Sequence, residues 1–195
     1  MSSSLHQLAR EGRTEDVDKM LNIGDMTKSQ SLVNVTDKHR RTPLHLAAFF
    51  GHSDTVTKLL EYKANLHAGA VDGFTALHFA AQNGHTDTCK VLLMAKANID
   101  RSTDRGMRTA LHLAAFKGHQ NVIELLIRKK ANIGKKNSDG KTALDLIADS
   151  EVANEMKLLA NEIEERINNK KRKQDSDEEQ YQSKLHKLDE QPSDE

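Results

Sequence analysis

The sequence predicts an all-α repeat solenoid: antiparallel helix pairs stacked in a row, with β-hairpin-like finger loops joining one pair to the next. Three observations lead there. A short phrase recurs as Thr42-Pro43-Leu44-His45, Thr75-Ala76-Leu77-His78, Thr109-Ala110-Leu111-His112 and Thr142-Ala143-Leu144-Asp145, with starts 33, 34 and 33 residues apart, and a period of that length marks a stacked array. Each copy then carries two short stretches with apolar residues at helical spacing. Neither stretch can bury its stripe alone, so neighbouring copies have to share a core.

In chain order, residues 5 to 22 read as a worn first unit, because Leu5-His6 stands before Gly12 as Leu44-His45 stands before Gly51. The second unit opens at Thr42, a good N-cap, with Pro43 suited to the first helical position and Leu44, Ala47 and Ala48 on one stripe. Gly51, Gly84 and Gly118 end the first helix of the three full units, where a tight turn needs a positive φ. The second helices carry Val56, Leu59 and Leu60, or Val122, Ile123, Leu125, Leu126 and Ile127. Cys89 shares the register of Val56 and Ile123 and reads as a small core hydrophobe. Lys63, Lys96 and Lys130 follow the second helices at a left-handed position, where a side chain costs about 1 kcal/mol. Arg40 stands where later units have Gly73 and Gly140. The last unit opens at Leu144 and lacks the Gly-His pair. From a cap at Ser150, Val152, Met156, Leu159, Ile163 and Ile167 form one stripe that predicts a sealing helix.

The run from Thr42 to His52, Thr-Pro-Leu-His-Leu-Ala-Ala followed by Gly-His, resembles the ankyrin repeat. The resemblance covers about residues 5 to 167 and implies an L-shaped stack of helix pairs with fingers projecting from one side. It also implies a non-enzymatic protein-binding module whose partner lies on the concave face. His45, His52, His78, His85, His112 and His119 fall in repeat register, and the resemblance assigns them to backbone bridges between fingers, helices and neighbouring units. Asn34 occupies the loop position that oxygen-dependent asparaginyl hydroxylation modifies in many such proteins; the alternative is a loop-stabilising amide. The chain thus divides into an ankyrin domain over 1–169, of about five repeats with degenerate first and last units, and a tail over 170–195.

Composition narrows the function classes. Lys and Arg number 29, as do Asp and Glu, whereas a general nucleic-acid binder carries a basic excess. No apolar run approaches the ~18 residues of a membrane span, and the opening Met1 to Glu11 lacks a secretory apolar core. With one cysteine there is no internal disulfide, which suits a reducing compartment. No His or Cys pair has zinc-ligand spacing. The stretch from Gly134 to Thr142 has five residues between its glycines, one more than a phosphate loop, and Thr142 is the repeat threonine. No catalytic constellation emerges, so neither an enzyme nor a cofactor is expected.

The positions free of core duty are the finger tips and the inner-helix pairs facing the concave side. The pairs are Phe49-Phe50, Gln82-Asn83 and Phe116-Lys117. The finger positions include Lys38, His39, Arg41, Val71, Phe74, Arg105, Met107, Arg108, Lys135, Ser138 and Lys141. Phe49 and Phe50 point about 100° apart on a helix, so both cannot face an ordinary core. The fingers carry net charges of +2, −1, +1 and +2 in chain order. A basic surface set with phenylalanines suits an acidic protein segment with apolar anchors, since arginine forks pair carboxylates while rings are desolvated. The expectation is a monomeric adaptor or scaffold in nucleus and cytoplasm. A rival reading is an acidic-tailed escort for a basic client such as a ribosomal protein or histone.

The tail begins with Lys170-Lys171-Arg172-Lys173, which reads as a nuclear import signal or as a complement to the negative end of the preceding helix. Residues 174 to 195 carry eight acidic and two basic residues, a composition that predicts disorder. Ser176, followed by Asp177-Glu178-Glu179, resembles an acid-directed phosphorylation site.

Overall fold

The computed structural model describes residues 4–189, and beyond Asn169 it describes the side chains of Arg172, Lys173, Gln174, Asp175 and Glu178 alone. Its helices are α1 (Leu5–Glu11), α2 (Thr14–Leu21), α3 (Met26–Val33), α4 (Pro43–Phe50), α5 (Ser53–Glu61), α6 (Ala76–Gln82), α7 (Thr86–Met94), α8 (Ala110–Lys117), α9 (Gln120–Arg128) and α10 (Ser150–Asp189). They form two rows. The inner row runs α1, α4, α6, α8 and then a single 3-10 turn at Leu144–Leu146; the outer row runs α2, α5, α7, α9, α10. Between the rows lies one continuous core, from Leu5, Leu8 and Val17 through Leu44, Leu59, Leu77, Leu92 and Leu111 to Ile123, Leu126 and Met156.

Each repeat threonine starts its inner helix through a reciprocal cap. The backbone N–H groups of Thr42, Thr75 and Thr109 donate to Nδ1 of His45, His78 and His112 at 3.0, 3.1 and 3.3 Å. An amide N–H only donates, so Nδ1 is bare and the ring carries its proton on Nε2. That Nε2–H then donates to the next finger, to the carbonyls of Ala68, Arg101 and Lys141 at 3.0, 2.9 and 3.3 Å. One neutral imidazole therefore caps its own helix and holds the following loop. In the last repeat Asp145 replaces histidine and keeps the capping half, accepting from the Thr142 N–H and hydroxyl at 2.9 and 2.7 Å. Helix α10, not another finger, follows this repeat.

A second ladder ties the repeats along their turns. His52, His85 and His119 donate from Nε2 to the carbonyls of Arg10, Phe49 and Gln82, each at 3.0 Å. Their rings lie so close to Gly12, Gly51 and Gly84 that a Cβ on Gly51 would stand 2.5 Å from His85 Nδ1. With φ at +79° as well, glycine is required there twice over. The fingers close on themselves through Asp37 to Arg41, Ala70 to Phe74, Thr103 to Arg108 and Asn137 to Lys141 backbone bonds, and each leans on its predecessor: Val71 N–H to His39, Asp104 N–H to Asp72, Ser138 N–H to Gly106. The left-handed residues expected from sequence are present: Lys63, Lys96, Lys130 and Arg40 have φ of 62°, 71°, 66° and 58°.

Four features differ from the sequence expectation. Helix α3 is an extra element inside the first finger, started by Asp25, whose carboxylate accepts from the Thr27 and Lys28 N–H groups; its one buried apolar residue, Val33, leaves too faint a stripe to read. The inner helix of the last repeat shrinks to a 3-10 turn. Helix α10 is capped by Asp149, which accepts from the Glu151 and Val152 N–H groups, rather than by Ser150. It seals the stack with Ala153, Met156 and Ala160 and then continues as helix to Asp189, where disorder is expected. The reason is that burial and backbone conformation are separate matters: Lys, Arg, Gln and Glu, which recur in this stretch, are good helix formers whether or not they pack against a core.

Candidate functional site

The concave row places aromatic rings side by side. Phe49 and Phe50, at the end of α4, are 37% and 39% exposed, whereas Ala47 and Ala48 of the same turn are buried in the shared core. Phe50 packs edge-on against Phe49 at 4.9 Å, Phe49 against Phe79 at 5.9 Å, and Phe79 against Phe74 at 5.4 Å. This four-ring strip links the second and third repeats. Phe74 is half-buried in it, also contacting His78 at 5.7 Å, so it serves as much to brace its finger as to face a partner. Phe79 was not among the expected site residues, although the sequence holds the signal: it stands where the neighbouring repeats have Leu46 and Leu113.

Beside the strip, Ser4, His6, Gln7, Arg10, Asp37, Arg41, Leu46, Phe49 and Phe50 line a cleft of about 320 Å³. Arg10 lies over the Phe50 ring with its Cζ 5.4 Å from the centroid. Sequence reasoning missed Arg10 because the first repeat is worn and its helix α1 reads as a cap. Arg41, expected as a partner contact, is instead committed within its finger: Nε donates to Asp37 Oδ2 at 2.8 Å and a terminal nitrogen sits 2.7 Å from the same atom. Burial pulls the Asp37 carboxyl upward, but Arg41 and the backbone N–H groups of Arg41 and His39 outweigh it and hold the group below the usual carboxylate value. Arg105 is similarly paired, with Nε 3.1 Å from Asp72 Oδ1.

Farther along, Phe116 is 58% exposed and stands apart from the strip. Arg108 covers it at 5.7 Å and the Lys117 ammonium lies 5.9 Å from its centroid. Arg108 is half-buried, and its Nε is buried with no hydrogen-bond partner among the described residues. Gln82 and Asn83 lie between the two aromatic stations; the Asn83 amide donates one N–H to the Phe79 carbonyl at 2.8 Å. Lys38, His39, Val71, Met107 and Lys141 are exposed on the fingers. Lys135 donates to the Asp100 carbonyl at 2.7 Å, and Ser138 is exposed with its N–H held by Gly106.

Burial disfavours charge on the inner imidazoles. It pushes His78 down to about 4 and lowers His45 and His112 in the same direction. It also pushes the Cys89 thiol up to about 12, so that sulfur is a core atom with no nucleophilic character at neutral pH. Among the described residues no group of three or more His, Cys, Asp or Glu side chains is placed to hold a metal ion, and no helix is long and apolar enough to cross a membrane.

Asn34 joins the first finger to the second. Its Oδ1 accepts from the Asn65 N–H at 2.7 Å while Nδ2 donates to the Gln30 carbonyl at 2.9 Å. Asp100 repeats the first of these contacts on the Asn132 N–H at 2.8 Å. Of the basic tetrad, Arg172 and Lys173 are exposed on α10, while the side chains of Lys170, Lys171 and Ser176 lie outside the described residues.

Comparison with known proteins agrees with this architecture. The family profile described as ankyrin repeats (3 copies) matches residues 5–103 and 96–171. A human relative, DNA-binding protein RFXANK, is 41% identical over 66 residues, which is 34% of this chain. The matched segment spans 24% of that relative's own length.

Proposed function

We propose, from the premise that this chain belongs to the ankyrin repeat family, that it is a non-enzymatic adaptor whose concave face docks an acidic segment of a partner protein. Ankyrin repeats are protein-interaction modules. The observation that carries the finer reading is the pair Phe49 and Phe50, two large rings left more than a third exposed beside Arg10, which has no ion-pair partner among the described residues. A desolvated ring with a polar rim is how interface anchors are built. Phe116 under Arg108 and Lys117 extends the same surface. With 29 basic and 29 acidic residues, the chain lacks the charge excess of a nucleic-acid binder, and the human relative's DNA-binding name is not carried over. The exposed Arg172 and Lys173 suit import, so the adaptor is placed in nucleus and cytoplasm as a monomer. Asn34 as a hydroxylation acceptor and Ser176 as a phosphorylation site belong to the same proposal.

Selection of a random peptide library on the full-length protein tests the groove. Enriched peptides should carry acidic and apolar residues together, and the Phe49→Ala/Phe50→Ala double variant should bind them at least tenfold more weakly, since two ring truncations at an anchor remove over ~1.4 kcal/mol. Undiminished binding by that variant, with its helicity intact by circular dichroism, rejects the groove. Retention of ligand by the groove variant but loss on deleting residues 174–195 favours the tail-driven escort.

A further inference from the structure

We infer, resting on that groove reading, that the partner segment is an extended peptide bearing two carboxylate side chains about six residues apart, each beside an apolar side chain. The concave row holds two separate arginine-on-phenylalanine stations, Arg10 over Phe50 and Arg108 over Phe116, and they are alike in chemistry. Arg10, Arg108 and Lys117 have no ion-pair partner among the described residues, in contrast to Arg41 and Arg105, which Asp37 and Asp72 neutralise. A ring against the face of a guanidinium leaves its in-plane N–H groups to fork a carboxylate; at Arg108, whose Nε is buried, the fork is that of the two terminal nitrogens. The exposed edge of each ring offers the neighbouring apolar contact.

The distance between stations sets the code. The station rings Phe50 and Phe116 lie in the last turns of α4 and α8, with α6 between them. Two interhelix steps of 8–10 Å give about 16–20 Å, and an extended chain covers that in about five or six residues at ~3.3 Å each. A helical ligand would need about twelve. Between the stations lies Gln82, half-buried, whose backbone carbonyl is held by His119 and whose side-chain amide makes no hydrogen bond within the described residues. An amide carries both a donor and an acceptor, which matches the alternating N–H and C=O of an extended backbone.

Fluorescence anisotropy on the full chain at low salt tests this with synthetic probes: labelled Gly/Ser peptides holding two Glu-Leu pairs, with glutamates about three, six or twelve residues apart. The six-residue spacing should bind at least tenfold tighter than the other two, because both stations are engaged at once. Arg10→Gln and Arg108→Gln should each reduce that affinity to the level of a single-pair peptide, and Arg10→Lys should recover only part of it, since lysine keeps charge but not the fork. Circular dichroism of each variant separates lost contact from lost fold, and the lysine variant preserves the test if a glutamine variant unfolds. If all spacings bind equally while Phe49→Ala/Phe50→Ala still abolishes binding, the two-station code is wrong and the groove stands. If that double variant leaves peptide binding unchanged, the groove reading falls with it. Tightest binding at twelve residues, or tighter binding of a thymidine oligonucleotide of equal charge, overturns the extended diacidic ligand.

Discussion

Acidification should loosen this stack well before its carboxylates titrate. The perturbation is proton uptake by His78, whose ring must stay neutral because Nδ1 accepts from the Thr75 N–H at 3.1 Å while Nε2 donates to Arg101 at 2.9 Å. Burial sets its folded value at about 4 against 6.5 for the free side chain. Between those values the unfolded chain binds a proton that the folded chain refuses. The stabilisation is therefore complete above pH ~6.5, falls as pH drops through the window, and stops changing below pH ~4. At 1.36 kcal/mol per unit this single group is worth about 3 kcal/mol, and His45 and His112 are displaced in the same direction. The lowered Asp37 and Asp145 contribute stability present above their free value near 3.8 and lost below it, so the two effects occupy separate pH ranges. Urea unfolding followed by circular dichroism from pH 7.5 to 4 should show the midpoint falling from about pH 6.5 downward. His78→Asn keeps an acceptor for Thr75 but leaves the Arg101 carbonyl unpaired; it should cost about 1–3 kcal/mol at pH 7 and flatten the slope. A midpoint independent of pH across the window, or an equal slope in His78→Asn, would refute the argument.

Two further outcomes follow from the geometry. Gly51→Ala and Gly118→Ala both place a side chain at positive φ, but a Cβ at Gly51 meets His85 at 2.5 Å while one at Gly118 meets nothing within 4 Å. Thermal unfolding should therefore show about 1–2 kcal/mol lost at Gly118 from backbone strain alone and clearly more at Gly51; equal losses would mean that the histidine yields freely. Removing residues 170–195 should lower far-UV helical signal while leaving the unfolding midpoint of the repeats unchanged, because the sealing contacts end near Ile163; a lowered midpoint would show that the outer part of α10 supports the stack.

Much of this protein is decided locally and is legible in one dimension. The 33-residue register, the threonine caps and the glycine and lysine positions of positive φ depend on residue type and spacing alone, because helix capping and turn formation involve residues three to five apart; the bridging role of the six register histidines comes from the family resemblance, since their Nε2 bonds reach residues 23 to 42 positions away. Helix α3 and the 3-10 turn of the last repeat escape the same reading, since a single buried valine or a single turn leaves no periodic signal. The exposure of Phe49 and Phe50 is half legible: two adjacent rings on a short helix cannot both be interior, but their joining to Phe79 and Phe74 needs repeats folded onto one another. Which cations are available is decided by the folded structure. Arg10 and Arg41 look equivalent as letters, yet Asp37 neutralises Arg41 through the turn of a single finger, while Phe50 supports Arg10 only because the stack brings two repeats together.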